Sequence, residues 1–356
     1  MDEIPISTPQ ALPNLPDPLV VLEPEGMYEG TALEEELFSA AGARVKFIRG
    51  NIGRTGSLDD IDDEICKTVH GILIFRHHFG KDQIARFPLL RACIRCGAGY
   101  DILDREELAR RNVLVANIPD YGTAEVADHA IALALSLRRG VSLHEHLQRA
   151  NPPAPWEINP SPLIHRLEGK TFGVLGLGRI GTAAALRAKA FGWKVIFYDP
   201  YLKNGVDKSL GFERIKTLEE FFRRTDTLSI HAPLTHNTRG LVTERLLRLM
   251  PAKTSVLITT ARGPIVDLDG LEAVLKDNHL AGAALDVLPK EAQEDHSLVQ
   301  AYRNKEPWTL GRLIITPHSA FWTPEAWQDI RRLTAETIVE LLVYGSSLNV
   351  IRPEQE

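Results

Sequence analysis

The sequence predicts an α/β protein of two units, each a doubly wound parallel sheet covered by helices. Three observations predict it. Short apolar runs suited to buried strands alternate with helical patterns along nearly the whole chain. A length of 356 residues is more than one such unit needs. One stretch, residues 171–199, reads as strand, glycine turn, helix, strand and acid.

Residues 1–17 carry prolines at positions 5, 9, 13 and 16 and no periodicity, the composition of a mobile arm. Residues 19–22 read as the first strand, 31–41 as a helix stopped by Gly42, and 44–48 as the second strand. Ser57 and Asp60 have capping-box spacing ahead of a helix ending near Val69. Strands follow at 71–75, 90–95 and 113–116, with helices at 81–87 and 104–111 between them. Residues 123–138 form a long apolar helix pattern, 141–150 a polar one, and 152–162 a proline-rich loop that marks entry to the second unit. Beyond Asp199 the alternation resumes. Strands are predicted at 227–231, 254–259, 280–287 and 313–316, and helices after Thr217, at 243–250 and at 268–276. Thr323-Pro324 has the order of an N-cap and a first helical proline, opening a final helix to about Tyr344.

The central stretch carries the strongest motif. Gly176, Gly178 and Gly181 give G-x-G-x-x-G between two strand-like runs. In such a motif the first glycine makes the turn, the second admits a pyrophosphate and the third lets helix and strand pack closely. The free amides of the helix start hold the phosphates. Asp199 lies 18 residues past Gly181, near the roughly 20 expected of an acid that binds ribose hydroxyls. A carboxylate there repels a 2′-phosphate, so NAD(H) is expected over NADP(H).

Composition narrows the function. A net charge of −6 and no long basic run argue against a nucleic-acid surface. No apolar run reaches the ~20 residues of a membrane span, and the first residues lack a signal-peptide pattern. Cys66, Cys93 and Cys96 make no disulfide framework, which fits a reducing, cytoplasmic setting. Cys93 and Cys96 have C-x-x-C spacing, but inside a strand-like run and without a second pair to complete a metal site.

Three polar groups follow predicted strands of the second half, where open α/β sheets place ligands. Arg262 can grip a carboxylate with two parallel hydrogen bonds; it can equally be a structural ion pair. Asp286 ends a strand, and Glu291 stands in the loop beyond it. His318, after the last strand, is the natural proton donor near neutral pH, although a histidine there is often structural. Taken together they suit one reaction. Hydride transfer to a keto group leaves an alkoxide that needs a proton. A histidine supplies it, a carboxylate orients the imidazole, and an arginine holds an anionic substrate.

These residues resemble the D-isomer-specific 2-hydroxyacid dehydrogenases, from about Pro18 to Val350. The likeness rests on residues 186–192 with 197–201, on Thr260-Ala-Arg-Gly, on 282–287 and on Thr316-Pro-His318. Within the family the chain looks most similar to the C-terminal-binding-protein branch of NAD(H)-binding corepressors. The resemblance implies two Rossmann-like domains. A discontinuous, flavodoxin-like substrate domain takes residues 1–138 and 322–356, and an inserted NAD-binding domain takes 139–321. It implies NAD-dependent reduction of a small 2-keto acid, with His318 as acid/base, Glu291 as its partner and Arg262 on the substrate carboxylate. Cofactor contacts are implied at Gly176, Gly178, Arg179, Ile180 and Gly181, then at Asp199, Ala232, Pro233 and Thr238. Thr260, Ala261, Arg262, Asp286 and His318 complete them. Substrate contacts are implied at Arg95, Gly97, Ala98, Gly99, Arg262, His318 and Phe321. Arg76, His77 and His78 are further candidates for the same cleft. Relatives pair as homodimers through the cofactor domain. The corepressor alternative implies short-peptide partners and a nuclear setting.

Three positions and one segment length depart from the pattern. Ala292 stands where proline usually follows the glutamate. Phe321 replaces the tryptophan of the corepressors, and Val126 a threonine near the cofactor phosphate. The chain between Glu291 and His318 is longer, and residues 304–311 there are expected to form a lid or rim. Glu291 itself argues against formate dehydrogenases, a sister branch with glutamine in its place.

Overall fold

A computed structural model describes residues 11–291 and 295–353; Ala292 and most of the proline-rich arm lie outside them. The chain forms two compact units. One is drawn from the chain up to Tyr121 and again from Thr323 onward; the other is Gly122–Trp322.

The first unit holds five parallel strands: β1 (Leu19–Glu23), β2 (Val45–Arg49), β3 (Gly71–Ile74), β4 (Ala92–Arg95) and β5 (Leu114–Asn117). Their order is β2-β1-β3-β4-β5. Every residue of β1 and β3 is buried, as expected of strands covered on both faces. The predicted helix after Ser57 breaks in two. Ser57 and Asp60 do form a capping box, but around a single 3-10 turn, Leu58–Asp60. Asp62 then accepts the Glu64 amide and starts a separate helix, Asp63–Cys66. The final helix opens as predicted, with Thr323 Oγ1 accepting the Ala326 amide at 3.0 Å. It is α-helical over Pro324–Val339 and widens to a π-helix over Glu340–Tyr344. Leu341, Leu342 and Val343 are all buried, and three consecutive residues do not fit the buried stripe of a regular helix.

The second unit holds seven strands: β6 (Thr171–Leu175), β7 (Lys194–Tyr198), β8 (Glu213–Arg214), β9 (Thr227–Ile230), β10 (Val256–Thr259), β11 (Gly282–Leu285) and β12 (Leu313–Ile315). Their order is β12-β11-β10-β9-β6-β7-β8, and every pair is parallel. The order reverses between β6 and β9, and at such a point the loops at the carboxyl ends leave a crevice. The sequence reading missed β8, which has two residues and no periodicity to detect.

The helix Thr123–Arg138 corrects the expected crossing at 138. It packs on β10, β11 and the helix Arg179–Ala190, so the chain passes into the second unit at Gly122. Arg138, 2% exposed, anchors its end. The guanidinium donates to Thr227 Oγ1 at 2.9 Å and to the carbonyls of Asp226 and Thr254. Burial lowers its pKa to about 10, which leaves it charged at neutral pH.

The 304–311 segment is not a lid. It leads into the start of β12, the opposite end of the sheet from His318. Thr309 is buried, Trp308 packs against the core, and Arg312 donates to the carbonyls of Ala281, Leu275 and Leu280.

Candidate active site

The glycine turn after β6 separates packing from binding. Gly176 has φ +89, and a Cβ there would lie 2.7 Å from the Ala232 backbone. The turns after β6 and β9 therefore meet where the strand order reverses. A Cβ on Gly181 would lie 2.2 Å from the Gly176 carbonyl oxygen. Gly178 differs, since nothing lies within 4 Å of the position its Cβ would take. It caps the helix Arg179–Ala190, whose first amides have no partner inside the helix. An open approach to free amides fits a pyrophosphate. Arg179 is exposed there and Ile180 half-buried.

Asp199 follows β7. Its oxygens accept the Leu177 and Tyr201 amides, both at 3.0 Å. The carboxylate thus braces the glycine turn, and each oxygen retains a lone pair for a hydroxyl. After β9, Ala232 is buried and Pro233 exposed. Thr238 Oγ1 donates to the Pro233 carbonyl at 2.6 Å and accepts the Thr235 amide at 2.8 Å. Its proton holds together the loop that the resemblance places against the cofactor. His231 sits beside it with Nε2 2.8 Å from Ser229 Oγ. Burial pushes this imidazole down to about 4, so it is neutral at physiological pH.

After β10, Thr260 is 8% exposed and its hydroxyl is buried without a hydrogen-bond partner among the described residues. Ala261 and Arg262 are half-buried, and Arg262 Nη1 donates to the Ala261 carbonyl at 2.8 Å. Gly263 explains how this loop reaches its neighbour: a Cβ there would fall 2.1 Å from the Leu288 carbonyl carbon.

Asp286 is 1% exposed and organises the segment that carries His318. Oδ1 accepts the Thr316 hydroxyl at 2.5 Å and the Ser319 amide at 3.0 Å, and Oδ2 accepts the Ala320 amide at 3.0 Å. Its carbonyl accepts the His318 amide at 2.8 Å. The resemblance implies a cofactor contact at Asp286; in the chain its carboxylate also organises the His318 segment, and Oδ2 accepts the Ala320 amide with a lone pair to spare. His318, at φ +52, brings Nδ1 to 2.6 Å from Glu291 Oε1. Their side chains are 33% and 48% exposed. Phe321 stands edge-on to the imidazole, ring centroids 6.1 Å apart at 88°.

In the first unit, Arg95 ends β4 level with Ile74. Its guanidinium lies 5.7 Å from the Phe75 ring centroid, and that of Arg76 lies 4.9 Å from it. A Cβ on Gly97 would come within 1.4 Å of Arg95 Nη1, so the glycine makes room for this arginine. Asn117 Nδ2 donates to the Ala98 carbonyl at 2.6 Å and braces the loop, where Gly99 is half-buried. His77 lies between the Gly56 carbonyl, at 3.0 Å, and Glu25, at 3.4 Å, whereas His78 is exposed. Cys93 and Cys96 are buried free thiols, and burial pushes Cys96 up to about 12 and Cys93 higher still. Neither is a thiolate at neutral pH.

A family model of the NAD-binding domain of D-isomer specific 2-hydroxyacid dehydrogenases matches residues 131–320. The chain belongs to this family. It is 34% identical over 262 residues to a glyoxylate reductase of Thermococcus litoralis, covering 73% of this chain and 76% of that protein. A glyoxylate reductase of Pyrococcus furiosus is 36% identical over 255 residues, covering 71% and 73%. Among solved structures, the NADPH-dependent glyoxylate/hydroxypyruvate reductase of Sinorhizobium meliloti, in complex with NADP and malonate, superposes with a TM-score of 0.78. That match is 26% identical and covers 94% of this chain and 96% of that one. As a member of the dehydrogenase family the protein is an oxidoreductase that uses a nicotinamide cofactor. No helix among the described residues is long and apolar enough to cross a membrane.

Sequence reasoning missed the groups that hold these residues in place. His129 Nε2 lies 3.2 Å from Thr316 Oγ1, yet in sequence it is one histidine in an apolar helix pattern. No spacing rule joins positions 129 and 316. The Ser229–His231 contact was detectable in principle, since alternate residues of a strand share a face.

Proposed function

We propose that the protein reduces a small 2-keto acid to the D-2-hydroxy acid, with NADH preferred. The observation that carries this reading is the contact of His318 Nδ1 with Glu291, 2.6 Å apart, on the same sheet edge as the Gly176–Gly181 turn. Bound reduced nicotinamide supplies the hydride. Glu291 orients the imidazole through Nδ1, which leaves Nε2 to deliver a proton to the carbonyl oxygen. Arg262 binds the substrate carboxylate. Arg95, beside Gly97, adds a second guanidinium for substrate recognition. Thr260 has the buried, unpartnered hydroxyl that a cofactor group would satisfy. Asp199 supports NADH over NADPH because its carboxylate repels a 2′-phosphate.

The curated relatives are glyoxylate reductases, which supports glyoxylate and its near homologues as substrates. They offer no support for the corepressor branch. Trp156 and Ile158, 92% and 91% exposed on the second unit, support a homodimer paired through that unit, because isolated solvated surface rarely carries such residues together.

The test is NADH and NADPH oxidation with glyoxylate, hydroxypyruvate, pyruvate and larger aromatic keto acids. Turnover of one member with NADH preferred, abolished in His318→Ala while NADH still binds, is the expected result. NADH binding without turnover on any keto acid overturns the reading.

A further inference from the structure

We infer that His129 is a positioning residue for His318, acting through Thr316 and Asp286. The inference rests on the reductase reading of His318. Direction can be assigned along the chain of hydrogen bonds. Thr316 Oγ1 lies 2.5 Å from Asp286 Oδ1 and 3.2 Å from His129 Nε2. A hydroxyl has one hydrogen, and an ionised carboxylate only accepts. The amides of Ser319 and Ala320 already point at Asp286, one to each oxygen. Thr316 therefore donates to Asp286, and His129 must donate from Nε2 to Thr316. His129 is 3.7 Å from Asp286 Oδ1, too far for a hydrogen bond, so it acts through the hydroxyl.

The arrangement has a mechanical consequence. Residues 316–320 wrap around Asp286: hydroxyl, amides and the His318 amide all point at that one residue. His129 stands on the helix Thr123–Arg138, whose end is locked by the buried Arg138. Its bond ties the start of the His318 segment to a rigid element. Without it Thr316 still donates to Asp286, but nothing ties that pair to the helix, so Asp286 and the segment it holds can shift together. His318, in a left-handed conformation at φ +52, depends on those bonds to hold its angle.

The test compares His129→Leu, which removes the donor, with His129→Gln, which keeps one, and with Thr316→Val. Steady-state kinetics on the best keto acid are read beside amide hydrogen exchange over residues 316–321 in the cofactor-free protein. For His129→Leu and Thr316→Val, kcat is expected to fall about tenfold. The KM for NADH should stay within about twofold and exchange over the segment should quicken. His129→Gln is expected to restore most of both. A His129→Leu protein with unchanged exchange overturns the inference, whatever its kcat. So does a His129→Gln protein as impaired as His129→Leu. Exchange needs no turnover, so a wild-type protein inactive on every keto acid removes the reductase reading and still leaves the tether decided.

Discussion

His318 and Glu291 meet at 2.6 Å, and both reach that contact from left-handed backbone, at φ +52 and +34. Residues other than glycine adopt this region at a cost of order 1 kcal/mol or more, so the surrounding hydrogen bonds must hold both. Glu291→Gln keeps the size and one acceptor but loses the charge. Its kcat should fall about a hundredfold, with the dissociation constant of NADH unchanged. Stopped-flow and steady-state measurements separate the two, and a kcat equal to wild type would remove Glu291 from the proton step.

Two glycines of one motif should fail differently. Gly178→Ala adds a methyl where nothing lies within 4 Å, so it should fold with an unchanged melting temperature and bind NADH about tenfold or more weakly. Gly181→Ala drives a methyl to 2.2 Å from the Gly176 carbonyl oxygen. That backbone group cannot move without shifting strand or helix, and a loss of about 1–3 kcal/mol is expected. Calorimetry and NADH titration on both proteins check it, and equal behaviour would show that the motif acts through packing alone.

Gly97→Ala should move Arg95, with some loss of stability as well because Gly97 holds φ +158. The added Cβ would fall 1.4 Å from Nη1, the far end of a flexible side chain that can swing away. The expected result is a keto-acid KM raised about tenfold with NADH binding intact. An unchanged KM would remove Arg95 from substrate recognition.

Glu23 gives the protein a pH-dependent stability. It is 1% exposed, and burial raises its carboxyl from 4.5 to about 7 against the opposing Met27 and Glu25 amides. The folded chain thus keeps a proton that the unfolded chain releases near 4.5. Stability from this group is full below that value, falls as pH rises through the window up to about 7, and levels off above it. The loss is on the order of 3 kcal/mol. Denaturant titrations of wild type and Glu23→Gln across the window should converge or cross; parallel curves would show that Glu23 does not titrate there.

The sequence by itself determined the two-unit α/β class, eleven of the twelve strands, the cofactor turn and the trio Arg262, Glu291 and His318 as candidates. Each is written locally. A strand buried on both faces is a continuous apolar run, the turn needs its glycines at fixed spacing, and polar residues directly after such runs stand at sheet edges. The tertiary structure alone decided which groups serve the site and which serve the fold. Asp286 and Thr238 also brace the loops around the site, through partners that only folding brings near. Segment 304–311 fills a gap like a lid, yet the direction of β12 puts it at the other end of the sheet. His129 is in no motif, and its hydrogen bond spans 187 positions. Local pattern records which face of an element is buried; long-range hydrogen bonds depend on where two elements cross, which no periodicity encodes.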